Sequence, residues 1–438
     1  MLVAVEGGDL YEHPYLLLPS WSPADAPPAE LGGLALFRPL PDRSRVIMLP
    51  GRRPIGWDPN GRSLTEVDSI DVDGKRRRVW AVAAVMLPDW LRLRRPACTL
   101  EAGAPPLAPE AYTEAGWMGD GIVVAAVRLG PRGPRAVREQ HASDAAGRVR
   151  RRVASTLGNR LLQHLARCAL ELSCGLAWNV FFGCGEAFLP VSVSCDANCW
   201  GCVSIRPGRG GSTPAARARA VARVKDLVDV ALEHLRTDPA STVTFGLGRN
   251  GDLELACERI ERSILAIRSR SQAGMLNLDT QVLDPAWIAR LCNAGLDAIR
   301  ISLNSAVAGH FERWYGSGRG GFEELRGVLG VARGKGTHLS LSLLTQPGFS
   351  DRPSEVEALL RLIDEFGIER LQLRNLPADP DAYLALFPSP EAPAGMGALL
   401  RRLKRDAPNL WIGTLEAPRL GRERTAEPTA WRRPAARR

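Results

Sequence analysis

The stretch Pro190-Val191-Ser192-Val193-Ser194-Cys195-Asp196-Ala197-Asn198-Cys199-Trp200-Gly201-Cys202 decides how the chain is read. A short β-branched run ends in three cysteines spaced C-x3-C-x2-C. Three thiolates this close can hold one soft metal centre. A closed structural zinc site or an ordinary ferredoxin cluster needs four ligands. The next cysteine, however, is Cys257 and the next histidine is His234. The simplest consequence is a 4Fe–4S cluster held by Cys195, Cys199 and Cys202, with one iron left open for a small molecule. The alternatives are a zinc knuckle completed from far away or three buried thiols.

Outward from this run the chain alternates strand and helix with a period of roughly 30 residues. The pattern predicts strands at Leu189 to Ser194, Thr242 to Phe245, Met275 to Leu278, Ala298 to Leu303, Leu339 to Leu344 and Arg370 to Leu373. Helices are expected around Ala215 to Leu235, Glu254 to Arg270, from Asp284-Pro285 onward, and over Pro353 to Phe366. Asp284 before Pro285 is an N-cap with proline at the first helical position. Six βα steps with right-handed crossovers predict an α/β fold, a partial (β/α)6 TIM-like barrel. Such barrels carry their chemistry at the C-terminal ends of the strands. Polar or glycine residues crowd each exit: the three cysteines, Gly246 to Asp252, Asn277 to Thr280, Ser302 to Ser305, Thr345 to Gly348, and Arg374-Asn375.

At these residues the chain resembles the radical S-adenosylmethionine (SAM) superfamily. The signature is the cysteine spacing with an aromatic residue after the second cysteine, here Trp200. Ile301 to Ser305, Leu373 to Leu376 and Asn159 to Leu162 add a likeness to an uncharacterised bacterial group with an N-terminal β-rich extension. The resemblance implies that Cys195, Cys199 and Cys202 bind three irons and that S-adenosyl-L-methionine chelates the fourth. Cleavage of SAM by a cluster electron then yields a 5′-deoxyadenosyl radical that acts on a substrate. Gly246, Gly248, Gly251 and Asp252 correspond to the loop that receives the methionyl ammonium, although Asp252 stands where a glutamate is expected. Ser302 and Asn304 match positions that contact the SAM ribose or carboxylate. Asp279 and Thr280 are expected to line the same cavity. Arg374 and Asn375 are candidate substrate anchors; the other reading of Arg374 is an ion pair across the rim. The resemblance also implies an electron donor such as a flavodoxin or ferredoxin. It brings no defined substrate and assigns no catalytic residue.

Residues 1 to 140 read as a β-rich accessory domain. Val67 to Val72, Asp73-Gly74 and Arg78 to Val85 predict a hairpin. Gly121 to Arg128 predicts another strand, and Ala104 to Pro109 a proline-rich loop. Trp57, Trp80, Trp90 and Trp117 are read as packing residues. Residues 141 to 186 form a connecting helical segment, with apolar residues recurring at threes and fours. Its Cys168, Cys174 and Cys184 match no ligand spacing and are read as small buried hydrophobes rather than holders of a second cluster. Residues 187 to 380 form the core. Residues 381 to 418 are an extension with one helix and a short strand at Leu410 to Gly413. Residues 419 to 438 are an Arg- and Pro-rich tail expected to be disordered.

The 438 residues suffice for two or three domains. Net charge is +9, yet only four of the basic residues are lysine. That points to the codon bias of a GC-rich genome more than to a nucleic-acid partner, since no aromatic-interleaved basic patch exists. An RNA-modifying enzyme would rest on charge alone. No long apolar run predicts a membrane span. Met1 to Leu18 lacks secretory-signal features, and nine cysteines without a disulfide framework predict a reducing, cytoplasmic setting. The competing functional class is a catalytically divergent iron–sulfur or SAM-binding regulatory protein, and the altered Asn250-Gly251-Asp252 loop is its main support.

Overall fold

In the computed structural model, alternation of apolar and polar residues sets the two faces of each strand after residue 185. The structure describes residues 1–5, 7–13, 15–18, 37–42, 44–87, 89–108, 110–129, 144–172, 174–191, 200, 222–246, 253–280, 284–316 and 321–413. Cys195, Cys199, Cys202, Gly248, Gly251, Asp252, the expected strand residues Ser192 to Ser194 and the basic tail lie outside them.

Seven strands form one sheet in sequence order: Glu186–Pro190, Thr242–Gly246, Met275–Thr280, Ala298–Leu303, His338–Thr345, Arg370–Asn375 and Trp411–Gly413. All neighbouring pairs are parallel. Parallel neighbours need crossover connections, and helices such as Val224–Thr237, Leu253–Arg268, Pro285–Ala294, Phe322–Gly334 and Pro353–Phe366 supply them. One row across the sheet reads Phe245, Leu278, Ile299 and Leu339. These side chains merge with Leu227, Ile260, Leu291 and Leu359 of the helices in the main apolar core. The opposite face carries a polar row, Gly246, Asp279, Arg300, Ser340 and Arg370. Period two thus divides the sheet into a helix-facing apolar side and a polar side.

Three expectations are corrected here. The first strand begins at Glu186 and its described part ends at Pro190, earlier than Leu189 to Ser194, because the buried acid Glu186 belongs to the sheet. The sheet does not stop near residue 380: Trp411–Gly413 pairs with Arg370–Asn375 as a seventh strand. The Met396–Asp406 helix before it lays Leu399, Leu400 and Leu403 into the main core. The connecting segment is three helices, Ala145–Ala154, Arg160–Leu172 and Gly175–Phe182. The break at Gly158-Asn159 follows from capping: the Asn159 carboxamide accepts from Leu162 N at 3.0 Å and starts a new helix.

Before residue 130 the chain is β-rich, with a nine-stranded sheet and a three-stranded one. Ser69–Val72 pairs antiparallel with Lys75–Val85. Asp73 and Gly74 both adopt positive φ, as a two-residue type I′ turn requires. Trp57, Trp80 and Trp90 are half-buried, whereas Trp117 is exposed at a hairpin end. No helix of the described residues is long and apolar enough to cross a membrane.

Candidate functional site

The C-terminal edge of the parallel sheet gathers the residues singled out in the sequence. Trp200 is the one described residue of the cysteine loop. Its backbone N–H donates to Trp314 O at 2.9 Å, and its ring lies 5.9 Å from that of Trp314 and 6.5 Å from that of Tyr383. Trp314 closes the Ala308–Tyr315 helix after strand four, and Tyr383 sits on the Pro380–Leu386 helix after strand six. Trp314, Tyr383, Phe349 and Phe387 form a compact ring cluster. Trp200 therefore packs against the segments that follow strands four and six. Edge-to-face contacts of this kind add about 0.5–1.5 kcal/mol each beyond area burial.

Gly246 ends strand two on the polar face. A Cβ there would meet Phe188 Cζ at 2.2 Å, so glycine is required by the neighbouring ring of strand one. Asp279, on the same row, is held by Arg300: its Oδ2 accepts from Nε at 3.0 Å and Nη2 at 2.7 Å. Arg300 also grips Glu186 through Nη1 at 3.2 Å and Nη2 at 2.7 Å. Thr244 Oγ1 donates to Glu186 at 2.6 Å, and Asn277 Nδ2 donates to Thr244 Oγ1 at 3.1 Å. Burial alone would push the Arg300 guanidinium down, but Asp279 and Glu186 outweigh it and hold it above its ordinary value. Asp279 is thus committed to a charged floor beneath the site. Two of its three charged members, Glu186 and Arg300, were overlooked in the sequence. The available signal was a charge at an alternate position in each of two apolar strands.

Thr280 does not share the face of Asp279. It pairs with Ile301 on the helix-facing row and is fully buried, because adjacent strand residues point to opposite sides. This corrects the expectation that both line one cavity. Ser302 lies on the polar face beside Ser342. Asn304, just past strand four, is buried; its Nδ2 donates to His310 O at 3.3 Å and to Tyr383 Oη at 3.4 Å. Its Oδ1 has no partner among the described residues. A buried acceptor left open at a strand exit suits a ligand N–H or O–H, as SAM would bring.

Arg374 is half-buried on the polar face opposite Leu344. Asn375 faces the other way and is spent on the N-terminal domain. Its Nδ2 donates to Trp90 O at 2.6 Å and its Oδ1 accepts from Arg92 N at 3.0 Å. The substrate role expected for Asn375 gives way to an interdomain clamp, since both ends of the carboxamide are occupied.

The N-terminal domain thereby meets the strand exits directly. Fully buried Arg92 donates through Nη2 to Thr345 O, Gln346 Oε1 and Leu376 O. Burial, helped by the charge of Arg95, pulls its guanidinium down to about 9. Arg52 Nη2 reaches Asp379 at 3.2 Å and Asp381 at 3.3 Å, while Leu107 N donates to Asp379 at 2.7 Å. Sequence reading could not pair residues this far apart in the chain.

A second polar group at the rim was also missed. Glu355, in the first turn of the Pro353–Phe366 helix, accepts from Ser305 Oγ at 2.6 Å and lies 2.5 Å from His310 Nδ1. Burial raises its carboxyl above the ordinary range, while Ser305, His310 and Arg352 pull it back. Among the described residues no group of three or more His, Cys, Asp or Glu side chains is arranged to hold a metal. Cys168 and Cys174 pack at the edge of the main core, and burial pushes the Cys168 thiol up to about 11.

No protein-family model matches the chain. No curated protein matches it. Solved structures align with parts of it. Native anSMEcpe with bound AdoMet is 13% identical over 43% of this chain and 51% of its own, with a TM-score of 0.33. The radical S-adenosylmethionine methyltransferase TsrM from Kitasatospora setae, with tryptophan substrate and a SAM analog bound, is 15% identical over 47% and 39%, with a TM-score of 0.34. The FeFe-hydrogenase maturase HydG from Carboxydothermus hydrogenoformans is 15% identical over 65% and 71%, with a TM-score of 0.40. The chain spans about half or less of the length of the first two. Of these three, one is described as a radical S-adenosylmethionine methyltransferase and another was solved with AdoMet bound.

Proposed function

We propose that this protein is a radical SAM enzyme with a partial β/α barrel core and a β-rich domain clamped to its rim. The observation that supports this reading is the packing of Trp200, the residue after the second cysteine of the C-x3-C-x2-C run in the sequence: it lies on Trp314 and Tyr383, which follow strands four and six of a parallel sheet laid out in sequence order. Strand exits are where β/α barrels keep their chemistry.

Cys195, Cys199 and Cys202 would hold three irons of a 4Fe–4S cluster, with the methionyl end of SAM at the fourth. Such a cluster and SAM would supply radical chemistry for hydrogen-atom abstraction from a substrate. The residues of the chain do the positioning. Trp200, next to Cys199 in the sequence, is hydrogen-bonded to Trp314. Gly246 makes room for the Phe188 ring at the second exit, and Asn304 offers an open acceptor at the fourth. Ser302 and Arg374 flank that space on the polar face. The Glu186–Arg300–Asp279 floor stiffens the sheet below it. The clamp of Arg92, Arg52 and Asn375 covers the exits of strands five and six. The single-electron reductant belongs to the flavodoxin or ferredoxin class, and the setting is a reducing cytoplasm.

Anaerobic reconstitution tests the reading. About four iron and four sulfide per chain are expected. Dithionite and SAM should then release 5′-deoxyadenosine, and a Cys199→Ala variant should release none. An intact cluster that never cleaves SAM would refute the enzyme and favour a sensor.

A further inference from the structure

The Ser305–Glu355–His310 arrangement is not needed to hold a cluster or SAM, and its geometry is that of an oriented base. Ser305 Oγ accepts from Val307 N at 2.9 Å, which aims the hydroxyl proton at Glu355 Oε2, 2.6 Å away. The other carboxylate oxygen faces His310 Nδ1 at 2.5 Å. A buried carboxylate on Nδ1 fixes the tautomer with its proton there and leaves Nε2 as an open acceptor. The carboxylate is 4% exposed, whereas the imidazole is 32% exposed. The pair thus presents one nitrogen outward and hides its counter-charge.

The place of the pair matters as much as its shape. His310 and Trp314 are four residues apart on the Ala308–Tyr315 helix, and so share a face. Trp314 seats Trp200 of the cysteine loop. The His310 ring rests on Phe349 at 5.5 Å and Phe387 at 5.2 Å, members of the same ring cluster. Its carbonyl takes the Nδ2 proton of Asn304 at the exit of strand four. The charged groups facing the pair are few. Arg352 lies over Phe349 and is held by Gly348 O and Phe387 O; Tyr383 is the other titratable neighbour, acting on Glu355 across the cluster.

We propose that His310, oriented by Glu355, is an acid–base group of the radical site. This rests on the function proposed above. In the step it would serve, Nε2 takes a proton from a hydroxyl or ammonium of the bound substrate. The imidazolium is balanced by the Glu355 carboxylate, and the same proton later returns to product or water. A pair that only staples two helices together would not need a part-exposed imidazole one turn from Trp314, the partner of Trp200. The inference narrows the substrate to molecules carrying an ionisable X–H group next to the carbon that loses its hydrogen.

Carbethoxylation of His310 by diethyl pyrocarbonate, followed by peptide mass spectrometry, tests this on the full chain. The reagent reports the open, neutral nitrogen. In reconstituted holoprotein shown to form 5′-deoxyadenosine, SAM should slow modification of His310 by about five-fold. In protein without the cluster, Glu355→Gln should slow modification of His310 at a fixed pH by about three-fold, because the carboxamide N–H can donate to Nδ1 and leave the ring proton on Nε2. Competent holoprotein in which SAM gives no protection would overturn the placement of His310 while leaving the radical SAM reading intact. An unchanged rate in Glu355→Gln, or a His310 that never reacts, would overturn its role as an oriented base. Loss of 5′-deoxyadenosine formation in the parent would instead strike the proposed function.

Discussion

Glu186 and Glu114 are both buried acids in β-structure, at 4% and 2% exposure, and their surroundings are opposite. Glu186, on the polar face of the parallel sheet, is gripped by Arg300 and receives the Thr244 hydroxyl. Among the described residues Glu114, in the N-terminal sheet, has no hydrogen-bond partner on either oxygen, and Arg94 Nη1, likewise without one, stands 4.0 Å away. Burial pushes the Glu114 carboxyl up to about 8, with Arg94 only partly offsetting it. The parallel sheet stores charge as a matched network, whereas the N-terminal sheet keeps an acid by holding it neutral. A matched network gives rigid geometry where a site is built, while a neutral acid makes stability depend on pH.

The strongest way to break that contrast is to remove the shared cation of the network. Arg300→Met strands Glu186 and Asp279 without their partner and should cost roughly 3–5 kcal/mol in denaturant unfolding. Adding Glu186→Gln to it should recover part of the loss, because one uncompensated charge disappears. Recovery absent at every pH would mean that packing, not charge, is what Arg300 supplies.

Glu114 sharpens the comparison from the other side. Its folded carboxyl titrates near 8 and the unfolded one near 4.5, so the folded chain holds the proton more tightly. Stability is therefore full below about pH 4.5 and declines as pH rises through 8. Glu114→Gln cannot ionise. From pH 5 to pH 8.5 the difference between variant and parent should move in the variant's favour by roughly 2–4 kcal/mol. Parallel pH profiles for the two proteins would show that Glu114 is ionised and matched after all.

The smallest effect is expected where the two regions meet. Asn375→Ala leaves Trp90 O and Arg92 N without their carboxamide partner and should cost about 1–2 kcal/mol. Amide exchange should accelerate at Trp90–Arg92 and the exit of strand six, and not at the floor around Arg300. Faster exchange throughout the parallel sheet would mean that the domains fold as one unit.

Much of the parallel sheet was legible because local chemistry marks its elements. Ala298–Leu303 and Pro353–Phe366 begin and end where apolar periodicity and the flanking residues place them. Asp284 caps its helix as its position before Pro285 predicts, accepting from Ala286 N and Trp287 N. The first strand was misplaced because a charged residue was not expected inside a buried strand. The final strand was split from its sheet because a three-residue segment carries almost no periodic signal. Ser302 and Asp279 fell on the polar face, but Thr280 and Asn375 fell on the other, since a residue's neighbour in sequence is its opposite in a strand.

The sequence by itself determined the three-cysteine loop, the βα alternation and the polar residues at each strand exit, because spacing and periodicity are properties of the chain. Only the tertiary structure decided which of those polar residues face one another. The Arg300 network, the Asn375 clamp and the His310–Glu355 pair join residues 21 to 285 positions apart. Contacts at such separations arise from strand register and domain docking, which no local pattern of side chains encodes.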